Sequence, residues 1–201
     1  MQNYPWFKVI DAAETITQGD IYLKCIVPIL QDKTEAPYFE VKGTIIDCIV
    51  LTQACDLENT RPKVNKITVC EIKPLSEVVK KLMEEEYKDK QDYNYAKLNA
   101  KEKKKKQSII DKLRKGEFLD FYVLNKFEYS TNLELNQDYR VVLLRNSYHL
   151  PLNALNQHII NTGKSRLRLS PPYREHLSNA FAFNFSRIGL PIDLSIKEGD
   201  I

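Results

Sequence analysis

Three short segments rich in β-branched residues lie within the first 72 positions and constrain the fold more than any other feature. They span residues 21–27, 43–51 and 66–72, and turn-forming residues such as Gly19 and Pro74 bound them. β-Branched side chains fit the pleated surface of a sheet, and turns this closely spaced join neighbouring antiparallel strands. The spacing therefore predicts three strands of a tightly curved antiparallel sheet.

The first two segments differ in how their apolar residues are arranged. In the first, alternate residues are apolar and share one face, which predicts a strand buried on one side. These residues are Ile21, Leu23, Cys25 and Val27. The second segment is an almost continuous apolar run, which is typical of a strand buried on both faces.

Composition indicates one core interrupted by a charged segment. The 201 residues are 43% apolar, which is enough for one hydrophobic core and does not require two. At Ser76 the sequence changes abruptly to helix formers and charge, and at Gly116 it changes back. We therefore expect an α+β fold with a single domain, residues 1–201, and a helical insertion at 76–116.

The insertion concentrates positive charge. It holds 13 Lys or Arg against 8 Asp or Glu, whereas the whole chain carries only +3. Apolar residues recur at helical spacing near both of its ends, which predicts two helices around a polar tip. Its tyrosines and its lysine cluster are candidate partner-binding residues, namely Tyr87, Tyr93, Tyr95, Lys103, Lys104, Lys105 and Lys106.

Three interpretations of this cluster stay open. The lysines can contact phosphates while the tyrosine rings stack on bases, as in single-strand binders. Alternatively, the helices form a solvated protrusion whose field is diluted by the acidic residues 84–86. The third interpretation is an arm whose exposed tyrosines bind a protein partner.

After the insertion, the pattern predicts further strands at 117–124 and 139–144 and then a final amphipathic helix. Ser170 is the expected N-cap, and Pro171 is expected at the first helical position, where its missing N–H costs nothing. One apolar stripe follows, with Gly189 and Pro191 expected to end the helix. The stripe contains Tyr173, Leu177, Phe181, Phe185 and Ile188.

The cysteines do not indicate a metal site. Their spacing lacks the short chelating loops of zinc sites. We expect them to be small buried core residues, namely Cys25, Cys48, Cys55 and Cys70. The carboxylate of Asp56 disfavours a thiolate at Cys55, so we expect Cys55 to fill the core and Asp56 to bond backbone amides at a turn.

Other polar residues show no catalytic pattern. We expect His176 to be a partly buried packing histidine, and Glu175 with Arg174 and Arg187 to form a helix-surface or sheet-docking set. The sequence has no Gly-rich phosphate loop, paired catalytic carboxylates or H-E-x-x-H motif. We therefore expect no metal and no cofactor.

The chain contains no apolar run of about 18 residues and no basic N-terminal region followed by an apolar core. We therefore expect a cytoplasmic protein without a membrane partner.

Several segments carry a resemblance to a known family. The Gly-Asp-Ile-Tyr-Leu run at 19–23, followed by strands at 44–51 and 67–72, resembles the strand order of the MazF/PemK-like toxin superfamily. The segments at 52–57 and 171–191 are similar to a divergent MazF-like group. The resemblance implies a small SH3-like curled antiparallel β-barrel. The family-motif residues are Gly19, Asp20, Gln53, Cys55, Asp56, Arg174, Glu175, His176 and Arg187.

Active members of that superfamily cleave single-stranded RNA without metal, using an arginine before the second strand and a Ser or Thr after a valine-rich strand. The resemblance places Lys42 near the arginine position and Lys73 at the hydroxyl position. Lysine offers charge but lacks the planar fork of arginine. The resemblance thus implies a non-catalytic member. Should nuclease activity remain, its candidate residues are Lys42, Thr52 and Arg61.

The favoured hypothesis is a regulatory protein that sequesters a protein partner, similar to the MazF-like anti-sigma component of a CRISPR-linked system with a SAVED-domain Lon protease. A sigma-like factor and a regulatory protease are then the expected partners, in a phage-defence or stress circuit. The alternatives are a MazF-like metal-independent endoribonuclease toxin and a nucleic-acid-binding module that acts through the lysine-rich insertion.

Overall fold

The computed structural model describes residues 5–31, 40–57, 63–128 and 135–186. These residues form seven strands and five helices. The strands are β1 (Phe7–Ile10), β2 (Asp20–Leu30), β3 (Val41–Val50), β4 (Lys66–Pro74), β5 (Phe121–Leu124), β6 (Arg140–Pro151) and β7 (Arg166–Leu169). The helices are α1 (Ala54–Leu57), α2 (Leu75–Glu86), α3 (Ala100–Arg114), α4 (Leu152–Thr162) and α5 (Tyr173–Phe185).

All seven strands belong to one antiparallel sheet, in the order β1-β7-β2-β3-β4-β6-β5. The predicted α+β class and the predicted antiparallel pairing are therefore confirmed. β1 and β5 lie at the two ends of this order, and closure into an SH3-like barrel stays a prediction.

Both faces of the sheet are covered by apolar side chains, because apolar residues on adjacent positions of a strand point to opposite faces. On one face, Ile21 and Ile49 pack with Leu177 of α5. On the other face, Val27 and Cys48 pack with α4, which contributes Leu155 and Ile159. The two helices thus hold the sheet between them.

A bulge in β2 overturns the predicted alternation of its first residues. The register with β3 shifts between Tyr22 and Cys25, and Lys24 has a left-handed backbone with φ 55°. A bulge adds residues to one strand only, so side chains beyond it change face. Ile21 consequently belongs to one core and Cys25 to the other, while Leu23 is 42% exposed.

The strand predicted to be buried on both faces is buried along only part of its length. Residues 46 and 48–51 are buried, whereas Val41 and Ile45 are exposed. The difference arises because β4 pairs with β3 only over residues 47–50. The outer half of β3 therefore pairs with β2 alone.

The predicted insertion contains the two expected helices, α2 and α3, between β4 and β5. Asn99 and Glu102 form a capping box at the start of α3, in which each side chain accepts the other residue's backbone N–H. Met83 and Leu113 are buried in a third apolar cluster. This cluster also contains half-buried residues of β5, which attach the insertion to the sheet.

The final helix begins later than predicted. α5 starts at Tyr173, after a Pro171–Pro172 peptide bond that is cis. The N–H of Ser170 donates to the carbonyl of Trp6 at 2.8 Å, while its hydroxyl is buried without a hydrogen bond. The expected Ser170 cap is therefore wrong, because Ser170 continues the β7 pairing with the N-terminal strand. The predicted helix end, including Ile188, Gly189 and Pro191, lies outside the described residues.

Within these described residues, no helix combines the length and the apolar character that a bilayer crossing requires.

Candidate functional site

The outer half of the β2–β3 hairpin presents an apolar surface to solvent. We define the β2–β3 arm as residues 25–30 of β2 with residues 41–46 of β3. Its outer face carries two cross-strand pairs, Ile26 with Ile45 and Leu30 with Val41. These four side chains are 57–66% exposed. Apolar side chains exposed side by side form one contiguous patch, and the largest such patch on a monomer is often functional.

The centre of this face is shaped by a small residue. Pro28 lies opposite Gly43, between the two apolar pairs. A Cβ at Gly43 would lie only 3.3 Å from Cγ2 of Ile26, so glycine leaves room for that side chain. The result is a shallow apolar surface two strands wide.

The inner face of the arm fixes its position. Cys25, Val27 and Ile46 are buried in the core that α4 covers. Among the described strands, arm residues pair only within the hairpin, so the outer edge of β3 offers unpaired backbone groups. The arm therefore combines a rigid support with an open edge.

Asp47 holds the base of the arm. One carboxylate oxygen accepts the N–H of Lys24 at 2.8 Å, and the other accepts the Arg140 guanidinium at 2.6 Å. Asp47 thus connects the β2 bulge to the start of β6. Because both carboxylate oxygens are used, the base of the arm is tied to two separate parts of the sheet.

The Gly19-Asp20 motif has a structural role. Gly19 has φ +85°, and a Cβ there would lie 3.1 Å from Leu169. Asp20 is completely buried and accepts hydrogen bonds from the guanidinium groups of Arg166, at 2.8 Å, and Arg168. Arg166 also donates to three carbonyls of the segment 11–15. The motif therefore fastens the N-terminal segment to β2 and β7.

The second motif segment lies on α1, directly after β3. Cys55 is exposed, with its sulfur 3.6 Å from Oε1 of Gln53 and 3.8 Å from Oδ1 of Asp56. The expectation that Cys55 fills the core is therefore wrong, because only Leu57 of this short helix is buried. The expected bonds from the Asp56 carboxylate to backbone amides stay a prediction, since the bond at this turn runs from the N–H of Lys63 to the backbone carbonyl of Asp56.

Gln18 connects the end of β3 to the final helix. Its buried amide donates to the carbonyl of Leu51, at 3.2 Å, and to the hydroxyl of Ser178 on α5. This contact brings the end of β3 beside α5.

At the start of α5, Arg174 and Glu175 pair with each other at 2.8 Å. His176 is exposed with its ring edge toward Tyr173, so its predicted partial burial is wrong. The helix turns its buried stripe, centred on Leu177, away from this residue. Arg187 lies outside the described residues.

Two of the three candidate nuclease residues, Lys42 and Thr52, lie far apart. Lys42 lies at the outer end of β3, and eight residue steps separate it from Val50, a length of about 26 Å along the strand. Thr52 lies beyond the other end, where its hydroxyl accepts the N–H of Thr68 at 2.7 Å. Arg61 lies outside the described residues.

Lys73, which the resemblance aligns with a hydroxyl residue of active toxins, is engaged by two carboxylates. Its ammonium group lies 2.9 Å from Glu77 and 3.7 Å from Glu71. The hydrogen bond to Glu77 raises the pKa of Lys73 above its usual value. This lysine therefore remains a cation whose charge is locally balanced.

The insertion uses its tyrosines in its own core. Tyr87 and Tyr93 stack with ring centroids 5.0 Å apart, and Tyr95 lies under the ammonium group of Lys106 at 4.8 Å. All three are half-buried in the third apolar cluster. Burial also raises the pKa of Tyr93. The expected exposure of these tyrosines is therefore wrong, because they fill the space between α2 and α3.

The lysine cluster of the insertion is divided between solvent and ion pairs. Lys103 and Lys104 are exposed, whereas Lys105 contacts Glu86 at 2.5 Å. Lys90 pairs with the buried carboxylate of Glu102, which lowers the pKa of Glu102. Acidic partners thus neutralise part of the positive field.

No group of three or more His, Cys, Asp or Glu side chains in the described parts of the chain is arranged to hold a metal ion. Cys25, Cys48 and Cys70 are buried, as expected, and all three are free thiols. Burial raises the pKa of the Cys70 thiol to about 12.

Sequence reasoning did not find the apolar face of the arm. Residues 25–30 are apolar on both faces of β2, and Val41 and Ile45 extend one of these faces onto β3, but the sequence does not show how much chain covers each face. The continuous apolar run of β2 was the signal that could have indicated this face, because the hairpin extends past its neighbouring strands.

No protein-family model matches the chain, and no curated protein sequence matches it significantly. The function is therefore argued from the geometry and chemistry of these surfaces.

Proposed function

We propose that this protein is a non-catalytic binding module that captures a protein partner on the apolar face of the β2–β3 arm. The observation that carries the proposal is the pair of cross-strand contacts, Ile26 with Ile45 and Leu30 with Val41, at 57–66% exposure. Covering apolar surface is the main favourable contribution to protein association. The expected partner segment is amphipathic, with an apolar face directed at these four residues.

Size and support favour this surface. The four side chains expose on the order of 400 Å² of apolar area, which is within the range of functional patches on monomers. Because the inner face of the arm is part of the core, little order has to be gained on binding. A preformed apolar surface with an adjacent open strand edge is suited to a partner helix or strand.

The identity of the partner rests on the resemblance to the MazF/PemK-like superfamily. On that basis, the module is an SH3-like barrel that sequesters a sigma-like factor under the control of a regulatory protease, in a cytoplasmic phage-defence or stress circuit.

The two alternatives receive less support from the geometry. A ribonuclease needs a cation and a proton-handling group around one phosphate, and Lys42 and Thr52 lie near opposite ends of β3. A nucleic-acid-binding insertion needs rings free to stack, and Tyr87, Tyr93 and Tyr95 are packed between the helices.

The test compares an arm variant with a matched control in binding to the products of the neighbouring genes. The arm variant is Ile26→Thr with Ile45→Thr, which keeps the branched shape of both side chains. Threonine retains about half of the apolar surface, so we expect a loss of about 1–2 kcal/mol, or about 5–30-fold in Kd. The control is Ile160→Thr, since Ile160 is 69% exposed on α4, outside the arm.

Equal binding of the arm variant and the control would contradict the assignment of this surface. The absence of any complex, combined with RNA cleavage by the isolated protein, would contradict the proposed function itself. Sedimentation of the isolated chain tests whether the arm instead binds a second copy of the same chain. In that case dimerisation is lost in the arm variant alone.

A further inference from the structure

A cavity of about 560 Å³ lies beside the base of the arm, on a part of the molecule that the proposed function does not use. The β2 bulge, the C-terminal part of α4, the start of β7 and residues 135–140 enclose it. Its volume is within the range of pockets that bind small molecules. The cavity is therefore large enough for a ligand and not merely for water.

The charged residues that line this cavity are all basic. They are Lys24, Arg140, Lys164 and Arg166, and the His158 ring lies beside them. No Asp or Glu is among the described lining residues. Two carboxylates lie behind the wall, where Asp47 binds Arg140 and Asp20 binds Arg166. They hold these guanidinium groups in place, while Lys24 adds an exposed ammonium group at the wall.

Gln137 supplies a buried donor without a partner. Its side chain lines the cavity, and its amide nitrogen is buried without a hydrogen bond. Buried donors are almost always satisfied in folded proteins, because desolvation without a hydrogen bond is unfavourable. Because that nitrogen is out of reach of water, it meets an acceptor atom of a ligand only when the Gln137 side chain rotates toward the cavity.

Lys24 is held in an unusual backbone conformation at the same cavity. Its φ of 55° is rare for a residue with a side chain. Such conformations persist when the surroundings fix them, and they cluster at binding sites. Here Asp47 fixes the backbone by accepting the Lys24 N–H, and the bulge places this lysine at the cavity wall.

The remaining walls are apolar and aromatic. Tyr22 and His158 meet edge to face, with ring centroids 6.2 Å apart. Leu135, Ile159 and Leu167 are buried and complete this side. A ligand that fits both parts of the cavity has an apolar or aromatic body and a compact anionic group.

We propose that this cavity binds a small phosphate monoester with an aromatic body, of the size of a nucleoside monophosphate. A phosphate accepts several hydrogen bonds at once, which matches an ammonium group, a guanidinium group and an amide on one cavity. The proposal is independent of partner capture by the arm, and the two can fail separately.

The test measures binding by titration calorimetry with adenosine monophosphate as the probe. Adenosine and inorganic phosphate, titrated separately, report the contributions of the body and the phosphate. We expect binding of the monophosphate at least 10-fold tighter than either fragment. Lys24→Gly removes the ammonium group, so we expect at least a 10-fold loss of affinity. Glycine adopts the positive φ of this position without strain, so we expect unchanged or higher thermal stability.

Two further variants and one control complete the test. Gln137→Met removes the amide donor at similar length and is expected to weaken binding, whereas Lys24→Arg keeps the charge and is expected to retain it. Lys112→Gln removes an exposed charge on α3 and is expected to have no effect. Failure of the monophosphate to bind at millimolar concentration would overturn the proposal. Equal binding by wild type, Lys24→Gly and Gln137→Met would also overturn it. So would a protein that binds single-stranded RNA but not adenosine monophosphate.

Discussion

Replacing Asp20 by asparagine should destabilise the protein more than almost any other single change of charge. Asp20 is fully buried, and its two oxygens receive the guanidinium groups of Arg166 and Arg168. The side chain of Arg166 is only 4% exposed. The neutral amide would therefore leave one deeply buried cation and one partly buried cation without a counter-charge.

The expected loss follows from that burial. Removing one partner of a buried ion pair costs about 3–5 kcal/mol. Asparagine keeps one acceptor oxygen, and Arg166 keeps its bonds to the carbonyls of the segment 11–15, so the lower end of that range applies. For a chain of this size, about 3 kcal/mol lowers Tm by roughly 6–12 °C.

The assay is thermal and urea unfolding of Asp20→Asn beside a surface control, Glu175→Gln. Glu175 is 48% exposed and pairs with Arg174, so its loss should cost about 0–1 kcal/mol. Faster hydrogen exchange in the segment 11–18 of Asp20→Asn would locate the damage. A decrease in Tm no greater than that of the control would refute the buried-network argument.

Two further predictions concern ionisable side chains. Burial raises the pKa of Tyr122 to about 12, and its hydroxyl donates to the Tyr173 carbonyl. The unfolded phenol ionises near pH 10, so this contribution to stability is present below about pH 10 and is lost as the pH rises toward 12. Urea unfolding across this range should show a steeper decline for wild type than for Tyr122→Phe, and parallel curves would contradict this. In thiol labelling of the native protein, Cys55 alone should react quickly because the other three cysteines are buried, and Cys55→Ser should remove the fast phase. A thiol that still reacts quickly in that variant would show that the labelling reagent reaches the core.

Local sequence patterns predicted the elements whose signals are self-contained. The β-branched runs became β2, β3 and β4, and the charged segment became α2 and α3, because each has strong propensity within one window. The stripe around Leu177 likewise predicted α5, since the i and i+4 positions of a helix share one face.

Elements that depend on distant contacts were missed. β1 has four residues and exists because it pairs with β7, near the other end of the chain. α4 contains Asn and Thr, which are weak helix formers, and it is held to the sheet by Leu155 and Ile159. The end of β7 likewise overrode the Ser170 cap, through a backbone bond to Trp6. Such pairings are decided by tertiary contacts, which no short window contains.

The site was harder to predict than the fold for a related reason. Periodicity identifies which residues share a face, but not which face another element will cover. Ile26 and Val27 are equally apolar in sequence, yet one is 66% exposed and the other is fully buried. The β2 bulge adds a second difficulty, because no residue around Lys24 marks a change of face.

The position of the third apolar cluster has a consequence for solubility. β5 is an end strand of the sheet, and its Phe121 and Val123 pack into the cluster formed by α2 and α3. An uncovered end strand with aromatic and aliphatic residues is a template for intermolecular strand addition. α2 and α3 therefore protect β5 from pairing with strands of other molecules. Shortening these helices would make the chain prone to form β-linked assemblies.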